Sequence, residues 1–243
     1  MIQACLNGRR THVEHPAIPL TPEDLAREGR AAVEAGATSL HVHPRGADGA
    51  ETLDAGPRAA TLRALRSACP DIEISVTTGF WILGDSALRL ERISRWIEWP
   101  DVASVNITEP GAVELLDLLV GRGVGIELGV ATAADALRLV ASGVAPRCTR
   151  VLVEVEGEVT EALVEVAAIE AVLADAGIRL PRLDHGYGRA TFAVIDRAFR
   201  LGFGYRVGFE DTLVLPDGKP ALSNAELVAA CRMRTEGQGG SRH

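Results

Sequence analysis

Thr21-Pro22-Glu23-Asp24-Leu25-Ala26-Arg27-Glu28-Gly29-Arg30-Ala31-Ala32-Val33-Glu34-Ala35-Gly36-Ala37-Thr38-Ser39-Leu40-His41-Val42-His43 is the stretch whose reading decides the fold. Thr21 suits an N-cap, Pro22 the first helical position, and Glu23 and Asp24 the positive end of the helix dipole, so a helix is predicted from Pro22 to Ala35. Gly36 then supplies a C′ residue. Three residues later the period changes from helical to alternating, and Ser39–His43 reads as a strand. A helix passing through a short glycine turn into a strand is one βα repeat seen from its middle.

The repeat recurs along the whole chain. Strands are predicted at 2–7, 39–43, 72–77, 102–107, 124–128, 150–155, 182–184 and 205–209. The amphipathic stretches that follow them are 22–35, 57–68, 85–98, 111–121, 133–141, 159–176, 190–201 and 223–234, the last opened by a capping-box pattern at Ser223-Asn224-Ala225-Glu226. Eight such units in 243 residues match a (β/α)8 TIM barrel. An open doubly wound sheet is the competing topology, but the first turn, Leu6-Asn7-Gly8-Arg9-Arg10, lacks the dinucleotide-binding glycine pattern. No long linker interrupts the chain, so residues 1–236 read as one catalytic domain and 237–243, Gly-Gln-Gly-Gly-Ser-Arg-His, as a flexible tail.

Composition narrows the chemistry. Of 25 basic residues only Lys219 is a lysine, and it sits in a Pro-Asp-Gly-Lys-Pro turn, which argues against Schiff-base, pyridoxal-phosphate and Walker-type phosphate chemistry. A net charge of −8 carries no footprint for nucleic acid. No apolar run is long enough to span a membrane and no secretory signal is visible, so a cytoplasmic protein is expected. Cys5, Cys69, Cys148 and Cys231 are widely spaced and read as reduced, buried thiols.

In a barrel, the strand C-termini and the loops after them converge on one face. Strand alternation points His41 and His43 to the same side, where two neutral imidazoles can take adjacent corners of a metal site or simply hydrogen-bond in a polar barrel mouth. Glu210 and Asp211 end the eighth strand, close to the first two in a closed barrel. Glu210 could complete a His2Glu set with an open fourth position, or the pair could cap the loop and bind Arg206. Other strand ends offer Thr77-Thr78-Gly79, Asn106 with Thr108, and His185. Glu127 stands in an otherwise apolar strand, where an inward acid needs a partner or a task. His12 and His15 lie in the loop after the first strand, and Trp96 and Trp99, three apart, read as packing.

Taken together, the loop Pro16-Ala17-Ile18-Pro19-Leu20-Thr21, His41-x-His43-x-Arg45, Thr77-Thr78-Gly79, Glu127, Arg206-Val207-Gly208-Phe209-Glu210-Asp211 and the later Ser223-Asn224 resemble the β-keto acid cleavage enzymes nearly end to end. The resemblance implies a TIM barrel, usually a homotetramer, with a divalent metal, commonly Zn2+, on His41, His43 and Glu210. It implies condensation of a β-keto acid with acetyl-CoA to give acetoacetate and a new acyl-CoA. Asp211 would be the base, aided by Arg206, with Thr77 beside the substrate and Thr78, Gly79, Asn106 and Glu127 among the binding residues. Where the family's best-known member has a substrate-reading glutamate, this chain has Gly8-Arg9, and Arg9 would favour an acidic or neutral acyl tail. Arg45 and Arg189 also fall at the expected mouth. Two other readings start from the same residues: a metal-dependent hydrolase on a TIM barrel, which lacks the bridging lysine and later histidines of that type, and a non-catalytic small-molecule-binding barrel.

Overall fold

A computed structural model describes residues 1–239, with side chains for residues 1–234. Eight strands, β1 (Ile2–Cys5), β2 (Ser39–Val42), β3 (Glu73–Thr77), β4 (Val102–Asn106), β5 (Gly125–Val130), β6 (Arg150–Val155), β7 (Arg182–Gly186) and β8 (Gly204–Val207), form a closed barrel in chain order. All neighbours are parallel, and β8 closes the ring on β1 through Gln3 and Arg206. The helices α1 (Pro22–Glu34), α2 (Ala55–Ala68), α3 (Ser86–Ser94), α4 (Ala112–Val120), α5 (Ala133–Ser142), α6 (Val159–Asp175), α7 (Thr191–Arg200) and α8 (Asn224–Gly239) follow the strands one by one. The chain is therefore a (β/α)8 TIM barrel. Among the described residues no helix is long and apolar enough to cross a membrane.

Local chemistry explains the element ends. The Thr21 hydroxyl accepts from Asp24 N at 3.1 Å, and α1 closes with Gly36 at φ 116° and Ala37 N bonded to Ala32 O, the long bond of a Schellman turn. At α8 the Ser223 hydroxyl caps Glu226 N, but the Glu226 carboxylate reaches back to Leu222 N, one residue before the partner a capping box requires. The helix predicted over 85–98 ends at Ser94, because Trp96 turns inward and donates its indole N–H to Leu53 O at 2.8 Å. α8 continues to Gly239, into the stretch read from the sequence as tail; residues 240–243 of that tail lie outside the described residues.

The lower interior of the barrel is polar. Alternation along β5 sends Ile126 and Leu128 outward to the helices and Glu127 inward. Glu127 is fully buried and accepts from Gln3 Nε2 (2.6 Å), Ser75 Oγ (2.6 Å) and Arg150 Nε (2.8 Å), joining β1, β3 and β6 across the barrel. Arg150 also pairs with Glu73 of β3. Burial alone would raise the pKa of Glu127, but the charges of Arg150 and Arg206 hold it below its ordinary value. Glu127→Ala would take from the buried Arg150 its fully buried counter-charge and leave it only Glu73, a change worth about 3 kcal/mol. The expected result is a Tm lowered by about 10 °C in thermal unfolding followed by circular dichroism; an unchanged Tm would show that Glu73 alone satisfies Arg150.

Candidate active site

The C-terminal ends of the strands open into a cavity of about 890 Å3. His41, His43 and Glu210 stand at its base, and one ligand atom from each lies within 4.8 Å of the others. Glu210 Oε2 is 3.9 Å from His41 Nε2, and Glu210 Oε1 is 3.6 Å from His43 Nε2. Both imidazoles are held from behind: Ser75 Oγ lies 2.9 Å from His41 Nδ1, and Glu51 Oε1 lies 2.6 Å from His43 Nδ1. These partners aim both Nε2 atoms at the carboxylate, the usual backing of a metal-binding histidine.

The donor set fits a divalent cation. Glu210 Oε2 is buried with no hydrogen-bond partner, an arrangement that costs free energy unless a cation supplies the missing interaction. Burial and the nearby Arg206 charge lower the His41 pKa to about 3, so this imidazole is neutral and ready to ligate. At His43 burial opposes protonation, but Glu210 and Glu51 outweigh it and raise the pKa. Two nitrogens and a carboxylate with room for a fourth ligand form a site of the catalytic rather than the structural type.

Of the other residues marked in the sequence, Thr77, Asn106, Arg9 and Arg206 line the cavity. Arg206 is buried; its Nε donates to Cys5 Sγ at 2.8 Å and a terminal nitrogen to Glu210 Oε1 at 3.3 Å. Burial works against its charge, but surrounding groups including Glu210, Asp211 and Glu154 hold it protonated. Arg9 is exposed, 5.4 Å above the Trp81 ring. The structure does not bring Glu127, Thr78, Gly79 or Asp211 to the cavity wall. Glu127 lies deeper in the barrel, Thr78 turns away and donates to Ser104 O, and Gly79 N donates to Thr77 Oγ behind the indole of Trp81. Asp211 is fully buried, with Oδ1 2.9 Å from His185 Nδ1 and Oδ2 unpartnered.

The loop after β1 packs tightly against Glu210. Gly8 has φ +55°, and a Cβ there would fall 2.4 Å from Glu210 Cγ, so position 8 has no room for a side chain while Glu210 holds its place. Arg45, expected at the mouth, is a buried brace for this loop, donating to Gly8 O and Arg10 O. Arg189 is exposed and faces Glu158 instead. His12 bonds Ile18 O, and His15 packs on Phe209. Lys219 is exposed beside Asp217, and all four cysteines are free and buried.

Four residues that sequence reasoning did not assign complete the site: Ser75 and Glu51 behind the histidines, and Glu154 and Tyr187 on the far wall. Glu154 carried the signal used for Glu127, an acid in the apolar run Val151-Leu152-Val153-Glu154-Val155. Its Oε2 lies 3.3 Å from His185 Nε2 and 3.4 Å from the Tyr187 hydroxyl. His185 is thus enclosed by two carboxylates. Burial and the Arg206 charge oppose its protonation, yet Asp211 and Glu154 prevail and raise its pKa from 6.5 to about 9.

A histidine whose folded pKa is raised stabilises the fold fully below its unfolded value and loses that contribution as pH rises through the folded value. For His185 the contribution is therefore present below pH 6.5 and gone above about 9. It amounts to about 3 kcal/mol. Thermal melts of the wild type should show Tm falling over this interval, with a shallower fall in His185→Asn; parallel curves would show that His185 does not change protonation there.

Comparison with known proteins identifies the family. The family model described as beta-keto acid cleavage enzyme matches residues 1–141 and 135–240. The 3-keto-5-aminohexanoate cleavage enzyme of Fusobacterium nucleatum is 27% identical over 245 residues, covering 94% of this chain and 88% of that protein. A 3-oxoadipate:acetyl-CoA acetyltransferase of Cupriavidus necator is 34% identical over 92 residues, 38% of this chain and 31% of its own. Among solved structures, apo ObcA superposes with a TM-score of 0.74 at 18% identity, covering 92% of this chain; this chain spans 63% of the ObcA chain. With a family model matched along almost its whole length, the chain belongs to the beta-keto acid cleavage enzyme family.

Proposed function

We propose that this protein condenses a β-keto acid with acetyl-CoA, releasing acetoacetate and the CoA thioester of the remaining acyl group, with a divalent cation, zinc by expectation, held by His41, His43 and Glu210. The observation that carries the reading is the convergence of these three residues, Glu210 with an unpartnered buried oxygen, at the base of a large polar cavity. When bound, such a cation supplies a Lewis acid toward a ketone oxygen.

The chain's own residues supply the rest. Arg206 presents a fixed, desolvated positive charge beside Glu210, suited to the substrate carboxylate or to oxyanion charge that develops during the reaction. The Thr77 hydroxyl and the Asn106 amide line the same cavity and can orient the keto acid by hydrogen bonds. Arg9 and Arg10, at the mouth, favour an acidic or neutral acyl tail. Asp211 bears on the reaction from behind the wall, through His185 and the charge of Arg206. The name of the Cupriavidus relative supports acetyl-CoA as the second substrate.

Two measurements test the reading together. Metal analysis of the purified protein should give one divalent ion per chain. Incubation with acetyl-CoA and a panel of acidic, aliphatic and amino-bearing β-keto acids should yield acetoacetate from at least one. A metal-free enzyme with full activity would overturn the role of the triad, and silence across the panel would favour a binding barrel.

A further inference from the structure

Each of the two histidines of the triad is held from behind, and the two supports end in different parts of the protein. Behind His41, Ser75 Oγ donates in turn to Glu127 Oε2 at 2.6 Å, so that support ends in the polar struts of the barrel interior. Behind His43, Glu51 leads outward to Trp81 on the cavity wall, whose indole Nε1 donates to Glu51 Oε2 at 3.0 Å. We propose that Glu51 and Trp81 act together as positioning residues for the metal, so that the indole N–H, which offers no ligand atom, sets how tightly the site holds its cation; the inference rests on the metal site proposed above.

The loop after β2 is folded to deliver Glu51. Arg45 and Glu51 face each other in an antiparallel bridge, Gly46 N donates to Ala50 O at 2.8 Å, and Thr52 N donates to Pro44 O at 3.0 Å. This narrow hairpin carries the chain back to His43, where Glu51 Oε1 lies 2.6 Å from Nδ1, behind the cavity wall rather than on it. Trp81 is equally fixed. Its indole lies over Gly79, where a Cβ would fall 2.3 Å from a ring carbon, and it stacks on the His43 ring with 6.3 Å between centroids and 25° between planes. At the rim, the Arg9 guanidinium stands 5.4 Å from the indole centroid, with Nε 3.9 Å from Glu51 Oε2.

Counting donors shows why this pair calls for a carboxylate. With Nε2 directed at the cation, His43 Nδ1 carries the ring hydrogen, so Nδ1–H and the indole N–H are both donors. A carboxylate meets them with one oxygen each. Without the indole donor, Glu51 Oε2 keeps only a loose ion pair with the exposed Arg9, and the carboxylate can turn away from His43. Groups that hydrogen-bond a metal-binding histidine fix its ring orientation and are worth about 10–100-fold in affinity. His41, whose support ends in the barrel interior, has no such dependence on the wall.

The test is Zn2+ affinity, read by challenging the Zn2+-loaded protein with a chromophoric chelator, with Tm measured alongside. Glu51→Gln, which offers one acceptor to two donors, should weaken affinity about 10–100-fold. Trp81→Phe keeps the ring and removes the N–H, and should weaken it about 5-fold with Tm unchanged. The two changes should not add. In the double variant the single amide oxygen no longer has to serve the indole, so affinity should equal or exceed that of Glu51→Gln alone. Glu51→Asp, which keeps both oxygens on a shorter stem, should fall between the wild type and Glu51→Gln. Wild-type affinity in either single variant, or losses that simply add in the double variant, would overturn the inference and leave the metal site standing. A wild type that holds no divalent ion would overturn the metal site, and this inference with it.

Discussion

Glu210→Gln is expected to purify with far less than one divalent ion per chain and to lose about 10³-fold or more in turnover. The carboxylate provides the only negative charge among the three converging ligands, and its Oε2 has no other partner. Glutamine keeps the shape and discards the charge, so the fold has little reason to respond. Several kcal/mol of transition-state stabilisation from a Lewis acid corresponds to three or more decades in rate. Metal analysis by mass spectrometry, paired with acetoacetate production, reads both consequences. Full metal occupancy in Glu210→Gln would show that the ion sits elsewhere; full activity with no metal would end the proposed chemistry.

Asp211→Asn carries the second largest effect, a fall in kcat of about 10³-fold with metal retained. The residue is fully buried, and its charge faces two groups of the site. It holds the Nδ1 side of His185, which in turn faces Glu154, and it is one of the negative charges around the buried Arg206. Asparagine can offer His185 either an acceptor or a donor, so the imidazole is no longer bound to one orientation or charge, and Arg206 loses part of its counter-charge. Steady-state kinetics should place the loss in kcat rather than in KM. Unchanged turnover would remove Asp211 from the mechanism altogether.

Much of this was legible in the sequence because alternation and helix caps are short-range physics. The parity of each strand placed His41, His43, Thr77, Asn106 and Glu127 inside the barrel, and the strand ends placed Glu210 and Arg206 at one mouth. Parity does not give height. Glu127 faces inward as Gly129 does, but two residues lower, about 7 Å along the strand, and that separates a strut of the interior from a residue of the cavity. Thr78 has the opposite parity to Thr77 and turns away from the cavity, a distinction available in the sequence once the end of β3 is known. Asp211 lies beyond β8, where no period applies, so its withdrawal behind the wall could be found only from three-dimensional packing. Glu51 belongs to the loop after β2, and nothing local announces that it returns to His43.

The polar struts in the lower barrel bear on how such a protein could be recombined. TIM barrels are often regarded as two half-barrels that can be duplicated, swapped or expressed apart. Here Gln3, Glu73 and Ser75 lie in the first half, and Glu127 and Arg150 in the second. A half-barrel cut between β4 and β5 would expose one side of an ionic lattice at its seam, and a chimera with a partner of ordinary aliphatic interior would bury charges without their counterparts. The five residues are therefore a unit of exchange, to be transplanted together or replaced together, and a grafted half that carries all of them brings its own rule for which other halves it can close with.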